Sequence, residues 1–312
     1  MASDECHSRR NFCLWLCTLV LTGLWQPSAK ADEPLFGFTY TTDTQPKGKF
    51  ELEQWSTTRF TKGYGSFWLQ DNLTEVSYGV TDRFQFSLQS DYASTSAFQN
   101  GPFRATTPPE PFSFDVPLPD ARYARTRFIS VSGEGIFRML SPYTHPVGLA
   151  LYFEPTFGPG FSEPEGRVIL QKDFRDDRLV LGFNFTYAPE YRRLQPNTKC
   201  LCLSETDINF DSGVSYRFHR NWSAAFEFFN ERELASLNFT NLINSAYYLG
   251  PTVHYANQNF FVTVTFAEQM PWATVHSNTL PGAIVNGYDF DNDFEKYRVR
   301  IKFGWNFGAE KR

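Results

Sequence analysis

The sequence predicts an all-β protein, a transmembrane antiparallel up-and-down β-barrel of about twelve strands, and three observations carry that prediction. Apolar and polar residues alternate with period two in segment after segment, which gives each strand two unlike faces. The apolar face is rich in aromatics, and these make up 18% of the chain. Connections alternate between short and long, as in barrels with tight turns on one rim and open loops on the other.

Residues 296–307 show the alternation best. Lys296, Arg298, Arg300, Lys302 and Asn306 interleave with Tyr297, Val299, Ile301, Phe303, Trp305 and Phe307. Twelve segments read as strands: 47–60, 67–80, 83–93, 122–140, 146–158, 165–174, 177–190, 204–218, 221–233, 245–256, 259–268 and 293–307. Most reach the ~9–11 residues that a tilted crossing needs, and no stretch beyond the N-terminal 31 residues reaches the ~18 apolar residues of a membrane helix. The mean hydropathy of −0.40 fits a chain whose lumen, loops and turns outweigh its lipid-facing half. A closed barrel is the one sheet that satisfies every backbone group in lipid.

In chain order, the first strand is readable at Phe50 and Leu52 against Glu51 and Glu53, but the pattern breaks from Trp55 to Phe60. Segment 122–140 is overlong and predicts a bulge near Gly133 and Gly135. In the middle strands Leu149, Leu151, Phe153, Phe157, Leu181, Phe183 and Phe185 face lipid, while Ala150, Glu154, Asn184 and Thr186 face inward. Phe260, Val262, Val264 and Phe266 face out, and Thr263 and Thr265 face in. Short turns fall at 79–83, 141–146, 174–177, 219–221 and 256–258; longer loops fall at 93–121, 158–165, 190–204, 233–245 and 268–293. Only Thr61–Gly65 is short among the outward loops. The prolines of 93–121 argue against a hidden hairpin there.

The N-terminus has the form of an export signal. Arg9 and Arg10 precede an apolar run from Leu14 to Trp25, then Pro27 and the small residues of Ala29-Lys30-Ala31. Cleavage after Ala31 divides the chain into a signal, 1–31, and one barrel domain, 32–312. None of the twelve segments covers residues 32–46.

Residues 73–92 read LTEVSYGVTDRFQFSLQSDY. A strand ending Tyr78-Gly79-Val80, a Thr81-Asp82-Arg83 turn and a second alternating strand resemble an uncharacterised group of outer-membrane barrels of the porin and phenol-degradation MetA-pathway transporter type. The resemblance implies a bacterial outer-membrane location in a Gram-negative cell and passage of small molecules, and it supplies no catalytic residues.

The formal net charge of −5 argues against a nucleic-acid partner. The expected partners are outer-membrane lipid and lipopolysaccharide, the barrel-assembly machinery and small polar or aromatic solutes; no cofactor is expected. The inward charges are the functional candidates. Lys296, Arg298, Arg300 and Lys302 form a basic ladder. Barrel closure brings it beside Glu51 and Glu53, and other strands add Asp207, Asp211, Glu227 and Glu231. The same residues serve two readings: a narrow channel whose opposed charges set selectivity, or a lumen locked by ion pairs. A non-conducting structural or surface-interaction barrel is the alternative role. Asp289, Asp291 and Asp293 alternate as in a hard-cation loop, but lack the glycine and distal glutamate of an EF-hand, so a solvated acidic loop is expected. Cys200 and Cys202 read as an exposed or oxidised pair in an outer loop. His276, Ser277 and Asn278 contain the residue types of an outer-membrane lipid hydrolase, yet neighbours along an extended strand point opposite ways, so no enzyme is expected.

Overall fold

The computed structural model describes residues 34–112, 115–193, 201–273, 283–285, 288–290 and 293–307. The export signal, Cys200, Asp291 and the His276-Ser277-Asn278 triplet lie outside them. Twelve strands close a fully antiparallel barrel: β1 (Phe50–Phe60), β2 (Ser66–Thr81), β3 (Phe84–Phe98), β4 (Tyr123–Leu140), β5 (Gly148–Gly158), β6 (Phe161–Phe174), β7 (Leu179–Arg192), β8 (Cys202–His219), β9 (Trp222–Leu234), β10 (Leu242–Ala256), β11 (Phe260–Gln269) and β14 (Tyr297–Phe307). A separate short hairpin, β12 (Ala283–Val285) with β13 (Tyr288–Phe290), stands in the β11–β14 connection. Each wall strand pairs with its sequence neighbour, and β1 closes on β14 from Phe50↔Phe307 to Phe60↔Tyr297.

The predicted facing holds around the wall. Leu151, Phe153, Leu181, Phe183, Val264, Phe266, Ile301, Phe303 and Trp305 are exposed on the outside, whereas Ala150, Asn184, Thr186, Thr263 and Thr265 are buried inside. Alternation therefore decided which half of each strand meets the surroundings.

Three expectations are corrected. The predicted 158–165 loop is a turn of two residues, and β6 begins at Phe161, with Pro164 directly opposite Pro155. Prolines lack the ladder donor, so they disguised the strand's first half. The irregularity in β4 falls at Ile129, where Asp91 pairs with Ser130 and Tyr92 with Phe128, rather than at Gly133 and Gly135, which pair in register with Leu88 and Phe86. Lys296 lies just before β14; its ammonium reaches Glu268 at 3.9 Å and stacks over Tyr297, so it leaves the inward ladder.

The largest departure is Pro34–Lys49. This segment forms no strand and runs across the lumen close to the short-turn rim, touching β11, β9, β7, β6, β3 and β2 in turn before joining β1. We refer to it as the strap.

Candidate functional site

The strap is held by wall side chains that bind its backbone. An irregular segment away from water must satisfy every N–H and C=O, and it has no neighbouring strand to do so. Glu227 on β9 accepts from the N–H groups of Gly37, Phe38 and Thr39 at 2.7, 2.9 and 3.0 Å, and its Oε1 also accepts from Thr252 and Thr265. Asn184 on β7 accepts from Tyr40 N at 2.6 Å and donates to Tyr40 O at 2.9 Å. Gln171 on β6 accepts from the N–H and hydroxyl of Thr42, and Gln85 on β3 from Gln45 N. At the exit Gly48 N donates to Gly79 O, and Gly79 N donates to Lys49 O. Side chains of β3, β6, β7, β9, β11 and β14, with the backbone of β2, thus fix the strap.

The strap's side chains pack as tightly. Phe36 is fully buried against Gly213 on β8; a Cβ there would sit 2.5 Å from the Phe36 ring. Phe38 stacks on Phe229 at 4.3 Å, and Phe229 stacks on Tyr248 at 4.9 Å. Tyr40 meets Tyr152 and Trp55 edge-on.

These rings receive the basic ladder. The Arg300 guanidinium lies 4.0 Å over Phe38 and donates to Gly37 O and to Thr57. The Lys302 ammonium lies 3.9 Å over Trp55 and 5.5 Å over Tyr40. Arg298, only 2% exposed, pairs with Glu231 and Glu295 and lies 4.3 Å over Tyr248. The aromatic faces supply the negative quadrupole that desolvated cations need.

Among the described residues the expected opposition of ladder and carboxylates takes the form of a direct ion pair at Arg298 with Glu231. Register places Trp55, not Glu53, beside Lys302, and Thr57 beside Arg300. Glu53 accepts instead from the Trp55 indole N–H at 2.5 Å, and Glu51, also buried, lies a further position toward the short-turn rim. Glu227 serves the strap. Asp211 sits 3.9 Å from Arg167, which itself pairs with Glu165 and stacks over Tyr40. Asp207 lies opposite Glu233 on the far wall.

At the long-loop rim two unlike clusters line the lumen. On the β2–β4 side the 99–122 loop folds inward and buries Phe112 among Phe67, Leu69, Ala93, Ala97, Tyr123 and Ile129. Asp115 fastens that loop by accepting from Tyr123 and Arg127. On the β6–β9 side the wall is acidic. Among the described residues Glu110, Glu190 and Glu205 bring carboxylate oxygens within 4.8 Å of one another, a hard-cation donor set. Arg192 already bridges Glu110 and Glu190, so a guanidinium takes the place a metal would need. Among the described residues Asp293 is not in that cluster; its backbone O accepts from Lys62. Cys202 is exposed at the start of β8.

Sequence reasoning missed the strap and its anchors. Phe36, Phe38 and Tyr40 do alternate with Gly37, Thr39 and Thr41, so the signal was present. An even strand count leaves no place for a thirteenth strand, which is the clue that this alternation belongs inside the barrel.

A closed twelve-stranded wall with an apolar, aromatic exterior and a polar interior crossed by its own chain defines a barrel of the outer-membrane type. The chain belongs to the Family of unknown function (DUF6662), which it matches over residues 28–307. No curated protein matches it. Among solved structures it is similar to the COG4313 outer membrane channel from Pseudomonas putida F1, at 8% identity and a TM-score of 0.55, covering 85% of this chain and 97% of that one. It is also similar to the NanC porin (12% identity, TM-score 0.48, 81% and 98% covered) and the KdgM porin (8%, 0.46, 82% and 99%). At 8% identity the likeness to the COG4313 channel shows the fold alone.

Proposed function

We propose that this protein is a narrow channel of the bacterial outer membrane, exported by the 1–31 signal, whose bore is set by the strap. The short-turn rim then faces the periplasm and the long loops face the lipopolysaccharide side. The observation that carries the reading is Glu227: a fully buried carboxylate that accepts three consecutive strap N–H groups. A barrel serving only as a scaffold has no need to spend a buried charge on a lumenal segment. The solutes that suit the lumen are small and polar or aromatic, because it offers guanidinium and ammonium groups against π-faces behind an acidic mouth. The role is passive transport rather than catalysis.

The test is single-channel recording in a planar bilayer under a salt gradient. The refolded chain from Asp32 onward is compared with a chain lacking 34–46. Small or rare steps for the first and several-fold larger steps for the second are expected. Equal conductance for two heat-modifiable, folded barrels would remove the strap as the constriction.

A further inference from the structure

The exterior carries one region that a lipid-facing wall does not explain. Between the apolar row Leu52, Val76 and Leu88 toward one rim and the aromatics Phe60, Trp68 and Phe98 near the other, the outward positions of β1 and β2 are polar. They are Gln54, Ser56 and Thr58 on β1, and Thr74, Asn72 and Gln70 opposite them on β2. Ser90 and Ser94 continue the outer two rows onto β3, where the aromatic Tyr92 takes the middle one, and Thr126 carries the Ser94 row to β4. Immediately beyond β1 the same rows become Phe303, Ile301 and Val299 on β14. The polar region therefore occupies a height at which the adjoining β14 presents aliphatic and aromatic groups.

The groups are linked sideways. Gln70 Nε2 donates to Ser56 Oγ at 2.8 Å, Ser56 Oγ to Asn72 Oδ1 at 3.1 Å, Thr74 to Gln54 Oε1 at 2.7 Å, and Ser94 lies 2.9 Å from Thr126. The network leaves hydrogen-bonding capacity over: Asn72 Nδ2 and Gln70 Oε1 find no partner among the described residues. In hydrocarbon each such group is costly.

We propose that this face of β1–β3 is the contact between two copies of the chain, packed about a two-fold axis near Ser56 and Asn72; the proposal rests on the outer-membrane reading above. The occupant follows from the chemistry. The patch is uncharged, so it does not complement a phosphate or a cationic headgroup. It lies between the two aromatic belts, away from the sugars and headgroups at either surface. The β1 and β2 ladders are continuous through it, so no lateral slot admits water. Amide and hydroxyl groups carry donors and acceptors together, which makes the surface complementary to itself, as an isologous interface requires.

Near a two-fold axis a residue approaches its own copy, so single cysteines at Ser56 and at Asn72, in a background with Cys200 and Cys202 changed to serine, test the contact in native outer membranes. Oxidation is expected to give a dimer at each site and none from a Val214→Cys control on β8, the opposite wall. The combined change Ser56→Val, Gln70→Leu, Asn72→Leu is expected to lower the dimer fraction about tenfold at equal protein-to-lipid ratio while heat-modifiability persists. A membrane-integrated, heat-modifiable chain with no dimer at either cysteine, or one crosslinked to a species of another mass, overturns the pairing alone. A chain recovered outside the membrane fraction overturns the outer-membrane reading and the pairing with it.

Discussion

Asp43 shows how one strap residue couples the lumen to pH. Its carboxylate lies near Arg138, accepts from the Tyr143 hydroxyl at 3.0 Å and shares Gln171 with Asp173. Burial, helped by the Asp173 charge, pushes its pKa up to about 6 in spite of those bonds and the Arg138 charge. The ionised form is therefore disfavoured in the docked strap. Docking is strongest below the ordinary carboxylate pKa of about 4 and weakens as pH rises from there through about 6. A spin label at Pro46→Cys, in a background without Cys200 and Cys202, is expected to gain mobility across that window. Asp43→Asn is expected to flatten the response; an unchanged profile would assign it to another group. The same scale explains why the ladder was readable and its partners were not. Period two fixes that Arg298, Arg300 and Lys302 point inward, but which group each one meets depends on register and on a segment more than 240 residues away in sequence.

At the scale of elements, the strap and the wall are fitted by glycine. Gly213 on β8 leaves the space Phe36 occupies, and no flexible neighbour could yield it, because the ring is itself fully buried. Gly213→Val is expected to displace Phe36 without opening the β7–β8 ladder. It should raise single-channel conductance while the unfolding midpoint falls by the equivalent of about 3–5 kcal/mol, the usual loss for a buried phenylalanine; unchanged conductance would show that the strap repacks around the larger side chain. All twelve wall strands were legible because alternation is a local signal. The failures were local too. Pro155 and Pro164 hid a tight hairpin, and the unreadable run from Trp55 to Phe60 proves to be an inward aromatic, Trp55, flanked by outward polar residues. Its irregularity is the polar face itself.

For the whole molecule, closure joins Phe50 to Phe307, so the wall is complete only when the two ends of the barrel domain meet. The even strand count and the alternation of turns made that closure predictable. The contents of the lumen were not, since nothing local distinguishes residues that fill a barrel from residues that precede it. The strap behaves as a ligand tethered to its own receptor. It is bound through its backbone by a row of fixed side chains, and it stays bound because the link at Lys49 keeps it at an effective concentration in the millimolar range. Cut free, the same sixteen residues become an ordinary solution ligand. A synthetic peptide of sequence 34–49 is expected to block current through the strap-deleted barrel with a hyperbolic, saturable dependence on peptide concentration, whereas a scrambled peptide leaves the current unchanged. Such a barrel is by construction a receptor for extended peptides, and any foreign chain that offers an aromatic at the Phe36 position and free backbone N–H groups opposite Glu227 competes for the same groove.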